Sequence, residues 1–314
     1  MIIPRPLSSG DKVAIVAPCS PVKAELIHPA AEFIESLDYV PELFPSCFCE
    51  CGYLSGDDQR RSADINAAFS DPEIRGIIAI RGGYGGARLA NYLNCDIIRA
   101  NPKVFCGFSD VTVLHIMLNK FCDLVTFHTP MPANAAMCGD EFSRKCLADV
   151  LRGNYPRKLT NCSGDIECIC GGTAEGILTG GNLTVIASTI GTPYEIEADG
   201  RILFLEDVGE EAYAIDRCLV HLRDSGILGR CRGIILGTWQ DCTPADELRD
   251  LFDEILKPLN IPVVYGLQCG HSVPSMSIPL GMTAEIRART DKCEIYLKGE
   301  LGNDTSRSCT KAPR

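Results

Sequence analysis

The feature that most restricts the fold of this chain is an alternation of short apolar runs with longer segments of helical period. Residues 12–18 (KVAIVAP) form an apolar run that ends in a proline, and residues 22–37 then repeat apolar side chains at helical spacing. Further apolar runs lie at residues 76–80 and 104–108, and helical period returns over residues 111–121. Strands that alternate with helices build a parallel sheet covered on both faces, so we predict an α/β fold.

The length of the chain allows two domains, and its polarity indicates where they meet. At 314 residues it exceeds the usual size of a single domain. Residues 154–170 are polar, carry Pro156 and interrupt the alternation. We therefore predict a first domain over residues 1–153, a linker over 154–170, a second domain over 171–304 and a loose tail over 305–314.

Charge and hydropathy disfavour several classes of protein. A formal net charge of -11 argues against a nucleic-acid partner or an anionic membrane surface, because phosphate-rich surfaces select basic patches. No segment approaches the ~20 uninterrupted apolar residues that a membrane-spanning helix needs. The first twelve residues contain two prolines and two charged side chains near their end, which is unlike the apolar core of a secretory signal. These features predict a cytoplasmic protein.

The 18 cysteines raise the question of disulfides or metal. A secreted disulfide scaffold is usually shorter and carries an export signal. The two clusters, residues 47–51 and residues 168–170, have C-x-C spacing, whereas zinc sites usually show C-x2-C with an accompanying histidine pair. We therefore predict reduced cysteines that pack as small apolar side chains and no metal site.

The segment most informative about chemistry is residues 104–112 (VFCGFSDVT), where an apolar strand runs into a helix. Ser109 falls on the turn between the two, at the carboxyl end of the predicted sheet, and the first amides of the helix follow it. A serine placed there can act as a nucleophile, although Ser109 or Asp110 could instead simply cap the helix. The segment departs from the G-x-S-x-G pattern, because Val111 stands where the second glycine would be.

A serine nucleophile needs a base, normally a histidine, and an acid that orients the base. Among the five histidines, His271 lies in a loop shortly after the apolar run 261–265, and His128 follows an apolar run of its own. Position favours His271 as the base and leaves His128 as a substrate contact. Glu206 ends the apolar run 201–205. A carboxylate there would meet Ser109 and His271 at strand ends, where open α/β sheets bind ligands.

A glycine-rich segment, residues 81–86 (RGGYGG), also follows a predicted strand. Glycines permit a close approach of the backbone to a substrate, and free amides there can bind a carboxylate or an oxyanion. The segment does not match the G-x-G-x-x-G dinucleotide fingerprint, and it lacks the Gly-Lys-Ser/Thr ending of a phosphate-binding P-loop. It therefore predicts a substrate contact and not a nucleotide site.

Six short motifs occur in one order along the chain. They are APCSP (residues 17–21), RGGYGG (81–86), GFSD (107–110), LTGGNL (178–183), LFLED (203–207) and GHS (270–272). In this order they resemble the LD-carboxypeptidases, a family of serine peptidases that also includes the microcin C immunity peptidases. The resemblance runs from about residue 11 to residue 286. It implies a flavodoxin-like parallel-sheet first domain, a smaller, mixed and strand-rich second domain, a homodimer, and neither metal nor organic cofactor.

The resemblance also implies roles for individual residues. Ser109 would be the nucleophile, His271 the general base and Glu206 the acid that orients the histidine. Backbone amides of Asp110 and Gly83 would form the oxyanion hole. The implied reaction removes the terminal D-alanine from a cytoplasmic muropeptide tetrapeptide, by hydrolysis of the L,D bond between a diamino acid and D-alanine.

Four residues are candidates for substrate contacts. We predict that Arg81, Gly82 and Tyr84 hold the terminal carboxylate or its surroundings. Trp239 is a further candidate, because the immunity peptidases stack an aromatic side chain on a base; their substrates are aminoacyl-nucleotide conjugates. A second alternative is a non-catalytic, two-lobed protein that binds a small ligand. Such a protein would not need a serine, a glutamate and a histidine at strand ends.

Overall fold

A computed structural model describes residues 1–298 of the chain. Within that range the chain forms fourteen strands and ten α-helices. The strands are β1 (Lys12–Val16), β2 (Val40–Leu43), β3 (Ile74–Ala79), β4 (Val104–Gly107), β5 (Thr126–His128), β6 (Lys158–Leu159), β7 (Glu167–Cys170), β8 (Gly172–Asn182), β9 (Ile202–Val208), β10 (Gly233–Gln240), β11 (Val263–Tyr265), β12 (Ile278–Leu280), β13 (Thr283–Arg289) and β14 (Lys292–Lys298). The helices are α1 (Ala24–Glu35), α2 (Asp58–Ser70), α3 (Cys95–Ala100), α4 (Thr112–Cys122), α5 (Ala135–Gly139), α6 (Glu141–Leu151), α7 (Leu183–Ser188), α8 (Ala212–Asp224), α9 (Ile227–Arg230) and α10 (Ala245–Leu256).

The first sheet has six strands in the order β12-β5-β4-β3-β1-β2. Strands β1 to β5 pair in parallel, as the alternation of strands and helices predicts. The sixth strand, β12, comes from the second half of the chain and pairs antiparallel with β5. The chain therefore returns to the first sheet near its end, which the run of apolar residues alone did not indicate.

The second sheet has eight strands in the order β6-β14-β13-β8-β9-β10-β11-β7. Its centre, β8 to β11, is parallel, and antiparallel strands complete both edges. Residues 154–170, predicted as a linker, include β6 and β7, which both pair within this sheet. Only Leu159 and Ile169 are buried in those two strands, so most of their residues are polar or partly exposed. The sequence therefore lacks the apolar run that predicts a strand. The predicted tail, residues 305–314, lies outside the described residues.

Helices cover the sheets with apolar faces of the expected period. In α8, Ile215, Leu219 and Leu222 are all buried, at the i, i+4 and i+7 spacing of a helix with one apolar face. Full burial of an aliphatic side chain of this size stabilises a fold by about 1.5–3 kcal/mol. Helix α4 contacts both α7 and β8 of the second sheet. The helix that follows Ser109 therefore lies where the two halves of the molecule meet.

Candidate active site

Ser109 lies on a strained turn between β4 and α4. Its φ is 64°, in the left-handed region that residues with a side chain seldom adopt, and a short 3₁₀ turn (Ser109–Val111) leads into the helix. Backbone held in such a region costs about 1–3 kcal/mol and persists only where its surroundings impose it. A simple helix cap does not need this conformation, since capping residues have extended backbone. The turn therefore favours the interpretation of Ser109 as a nucleophile.

The glycine loop, residues 81–86, passes directly against this serine. A Cβ atom at Gly82 would lie 2.9 Å from the Cβ of Ser109 and 3.1 Å from its Oγ. Any larger residue at position 82 would push the loop away from the hydroxyl. The Gly86 amide donates to Oδ2 of Asp110 at 2.7 Å, so the residue after the serine holds the far end of the loop. Burial raises the pKa of the Asp110 carboxyl, and the loop amide opposes that shift.

The second half of the molecule supplies a paired acid and base. Nδ1–H of His271 donates to Oε2 of Glu206 at 2.7 Å. Glu206 lies on β9 and is fully buried, whereas the His271 side chain, in the loop after β11, is 15% exposed. A Cβ atom at Gly270 would meet Glu206 Oε2 at 2.8 Å, so only glycine lets the histidine loop pack against the carboxylate. This pair leaves Nε2 of His271 free to face a substrate.

The electrostatics of this pair follow from burial. Desolvation raises the pKa of Glu206, and the hydrogen bond from His271 opposes the rise. The other carboxylate oxygen, Oε1, has no hydrogen-bond partner among residues 1–298. A buried carboxylate compensated mainly by one imidazole holds that imidazole in a fixed orientation and stabilises its protonated form.

Ser109 and His271 line one cavity, here called the Ser109 cavity, with a volume of about 430 Å³. Their neighbours in its wall are Val22, Leu26, Ile80, Arg81, Gly82, Gly83, Phe108, Met131, Ala133, Asn134 and Ala135. The ring of Phe108, next to the serine, lies 4.6 Å from the ring of His271 between centroids. The structure thus brings together the three residues that the sequence singled out, from two different sheets.

Two residues proposed as substrate contacts lie elsewhere. Trp239, on β10, packs its ring against Phe252 of α10 at 4.9 Å between centroids, and it is absent from the wall of the Ser109 cavity. The alternation along the strand turns this side chain toward the helix layer. Tyr84 is 55% exposed beside Tyr53 and also lies outside the wall. Arg81 does line the cavity, and its Nη1 donates to the Pro21 carbonyl at 3.0 Å.

His128, the other histidine candidate, is buried behind the cavity wall. Its ring packs against Phe108 and Phe204, and neither ring nitrogen has a partner among the described residues. Desolvation lowers its pKa well below the ordinary value. The apolar part of the wall, contributed by Val22, Leu26 and Met131, was missed by sequence reasoning. Two sequence features could have indicated these residues: the APCSP motif and the segment that follows β5. Both lie at carboxyl ends of parallel strands, where ligands bind.

Within residues 1–298, histidine, cysteine and carboxylate side chains form no group of three or more that could hold a metal ion. In the same range, no helix combines the length and the apolar character required to cross a bilayer.

Both halves of the chain match models of known protein families. Residues 13–129 match the model of the LD-carboxypeptidase N-terminal domain, and residues 175–286 match that of the C-terminal domain. A probable murein peptide carboxypeptidase from Bacillus subtilis is 35% identical over 291 residues, which cover 90% of each chain.

Solved structures show the same two-domain fold. An MccF-like protein from Bacillus anthracis superposes with a TM-score of 0.84 at 26% identity, over 95% of this chain and 99% of the other. A muramoyltetrapeptide carboxypeptidase from Oxalobacter formigenes superposes with a TM-score of 0.79 at 27% identity, over 92% and 99%. Both halves of the chain match the family models in the same order, and relatives match it over nearly its whole length. The protein therefore belongs to the LD-carboxypeptidase family of serine peptidases.

Proposed function

We propose that this protein is a serine carboxypeptidase that releases the terminal D-alanine from muropeptide tetrapeptides. The observation that carries the proposal is that His271, joined at 2.7 Å to the buried Glu206, lines the same cavity as the strained Ser109 turn. The murein-directed relatives from Bacillus subtilis and Oxalobacter formigenes support this substrate class. We further propose a cytoplasmic location, in cell-wall recycling, and a homodimer.

The proposed reaction proceeds through an acyl-enzyme. Nε2 of His271 takes the proton from Ser109 Oγ as the oxygen attacks the carbonyl carbon of the scissile bond. Backbone amides of Asp110 and Gly83 receive the negative charge that develops on the carbonyl oxygen. His271 then gives its proton to the leaving D-alanine amine, and the acyl group stays on Ser109. A water molecule, deprotonated by His271, releases the shortened peptide.

Removal of a terminal residue requires recognition of its carboxylate. Arg81 is the cation in the wall of the Ser109 cavity, and we assign it this role, with the neighbouring glycine-loop amides. The apolar side chains of Val22, Leu26 and Met131 line the same wall. They suit the methyl group and the stem of a small peptide.

An aminoacyl-nucleotide substrate is the second candidate, and the superposition with the MccF-like protein supports it. The position of Trp239 weakens it, because a ring packed on Phe252 cannot stack on a base in the Ser109 cavity without leaving that contact. A non-catalytic binding protein is the third. It offers no reason for the strained serine or for the buried glutamate paired with a histidine.

The test is release of D-alanine from a purified, sugar-free tetrapeptide by wild type and by Ser109→Ala. Release by wild type alone supports both the reaction and the nucleophile. Equal release by the variant would contradict the role of Ser109. If neither protein releases D-alanine, both are tested on an aminoacyl-nucleotide conjugate. Turnover of the conjugate by wild type would then identify it as the substrate class. If both proteins bind these compounds without turning them over, a non-catalytic binding protein is favoured.

A further inference from the structure

The glycine loop is held on both sides of Gly83 by a single residue, Ser20. The Ser20 amide donates to the Gly82 carbonyl at 3.2 Å, and Ser20 Oγ accepts from the Tyr84 amide at 3.0 Å. Ser20 belongs to the loop after β1, residues 17–21, here called the Pro18 loop. Two hydrogen bonds that flank Gly83 fix the peptide planes before and after it.

Gly83 itself has the properties of an oxyanion donor. Its φ is 110°, and a Cβ atom there would lie 2.4 Å from Ser20 Oγ, so the position requires glycine. Its amide has no acceptor among the hydrogen bonds of residues 1–298, although the amides of Tyr84 and Gly86 are both bonded. This amide therefore stays available to a substrate, on a residue that Ser20 holds from both sides and that lies in the wall of the Ser109 cavity.

Arg61 ties the same two loops together from behind. This side chain is fully buried, and its Nη1 donates to the carbonyl of Pro18 and, at 2.9 Å, to that of Gly85. Its Nη2 is paired with Asp58 of α2. The Pro18 loop and the glycine loop thus form one rigid unit, joined by Ser20 at the front and by Arg61 at the back.

We propose that Ser20 is a positioning residue that presets the Gly83 amide as an oxyanion donor, and this rests on the proposed function. Glycine has wide conformational freedom, so a flexible RGGYGG segment could rotate its peptide planes away from the serine. A donor stabilises a transition state strongly only when its orientation is fixed before the reaction. Ser20 supplies that fixation through its hydroxyl and its own amide, without touching the reacting atoms.

The experiment compares wild type, Ser20→Ala and Ser20→Thr in their rate of labelling by a fluorophosphonate. This probe needs no knowledge of the natural substrate, because Ser109 attacks phosphorus, fluoride leaves, and the phosphoryl oxygen occupies the oxyanion site. We expect labelling by Ser20→Ala to fall about tenfold, since a loosened donor loses part of the 10²–10³-fold contribution of a fixed one. Ser20→Thr, which keeps a hydroxyl acceptor, should retain most of the rate.

Two companion measurements separate positioning from general loosening. For D-alanine release, kcat of Ser20→Ala should fall in parallel with labelling while KM stays within about twofold, because only the transition state uses the oxyanion donor. The melting temperature should fall by a few degrees at most, because the fold loses a single hydrogen bond. Labelling of Ser20→Ala at the wild-type rate would overturn the role of Ser20, while D-alanine release by wild type would leave the proposed function in place. Absence of labelling in wild type would instead refute Ser109 as nucleophile, and the role of Ser20 with it.

Discussion

Two cavities of this protein differ in size and in chemistry, and the smaller one carries the proposed reaction. The Ser109 cavity measures about 430 Å³. A larger one of about 520 Å³, here called the Lys158 cavity, lies between β6, β7 and the β13–β14 turn. Charged side chains line the larger cavity, and they largely neutralise one another: Arg249 pairs with Glu167 at 2.6 Å, and Lys158 pairs with Glu294 at 2.9 Å.

The difference favours the Ser109 cavity as the site of chemistry, because its polar groups are unbalanced whereas those of the larger cavity are paired. Behind the Ser109 cavity, Glu206 is fully buried with one oxygen unpartnered, and the serine in the wall has strained backbone. Such features cost free energy and persist only where the surrounding fold imposes them. The ion pairs of the Lys158 cavity involve partly exposed side chains and resemble ordinary surface pairs. Substitutions in the two cavities should therefore differ in their effect on D-alanine release.

The largest effect is expected from Glu206→Gln. Loss of the buried negative charge removes the stabilisation of the His271 imidazolium, so kcat/KM for D-alanine release should fall on the order of 10³-fold. The fold should persist, because an amide of similar volume replaces a desolvated carboxylate. The matched control is Asp165→Asn in the wall of the Lys158 cavity, for which we expect wild-type kcat/KM. Similar losses in both variants would remove the distinction between the cavities.

A smaller but still large effect is expected from Gly82→Ala. The new methyl group would lie 2.9 Å from the Ser109 Cβ, so either the glycine loop or the serine must shift. A displacement of about 1 Å at a reacting group costs roughly 10²-fold in rate. Gly229→Ala is the control, because a Cβ atom there meets nothing within 4 Å. Steady-state kinetics of both variants decide; an unimpaired Gly82→Ala enzyme would show that the close approach is not needed.

The pH dependence of stability should reflect two buried histidines, His115 on α4 and His128 at the end of β5. Burial lowers the pKa of His115 to about 4, although its Nε2–H donates to the Gly107 carbonyl at 2.9 Å. The unfolded chain takes up this proton below the ordinary histidine pKa of about 6.5, while the folded protein does not. Stability is therefore lost as pH falls from about 6.5 toward 4, by roughly 1.4 kcal/mol per pH unit for this residue.

His115→Gln tests this assignment. The glutamine amide can still donate to the Gly107 carbonyl, so the hydrogen bond is kept and only the titration is removed. Chemical denaturation at several pH values should give the variant a shallower slope below pH 6.5 than wild type. Identical slopes would mean that other groups, His128 first among them, dominate the acid sensitivity.

Much of the fold and the core of the candidate site followed from the sequence, because both rest on local patterns. Apolar runs and helical period located three of the five parallel strands of the first sheet, β1, β3 and β4, whereas β2 and β5 were not predicted as strands. Ser109, Glu206 and His271 were placed at or near strand ends, and the structure brings Ser109 and His271 into one cavity wall with Glu206 behind. Motif order added the family, which the comparisons show.

The features that escaped prediction are long-range. Strand β12 pairs with β5 across about 150 residues of chain, and the polar segments β6 and β7 become strands only through their partners in the second sheet. The side chain of Trp239 faces α10 because of its register on β10, which no local pattern reveals. The hydrogen bonds of Ser20 to the glycine loop likewise join residues that are distant in sequence.

The smallest effect is expected in the Lys158 cavity, from Arg249→Gln. This change breaks the pairs of Arg249 with Glu167 at 2.6 Å and with Asp253 at 3.3 Å. Because these side chains are 30%, 60% and 29% exposed, the free energy of unfolding should fall by only about 0.2–1 kcal/mol.

The difference between Arg249→Gln and wild type should shrink further in high salt, which screens exposed charges. Release of D-alanine should stay within about twofold of wild type, because the ion pairs lie outside the Ser109 cavity and compensate each other locally. Parallel urea titrations at low and high salt, with steady-state kinetics on the same preparations, measure both quantities. A tenfold loss of kcat/KM at unchanged stability would show that the larger cavity takes part in catalysis. The ion pairs of Arg249 would then have a functional role and not only a structural one.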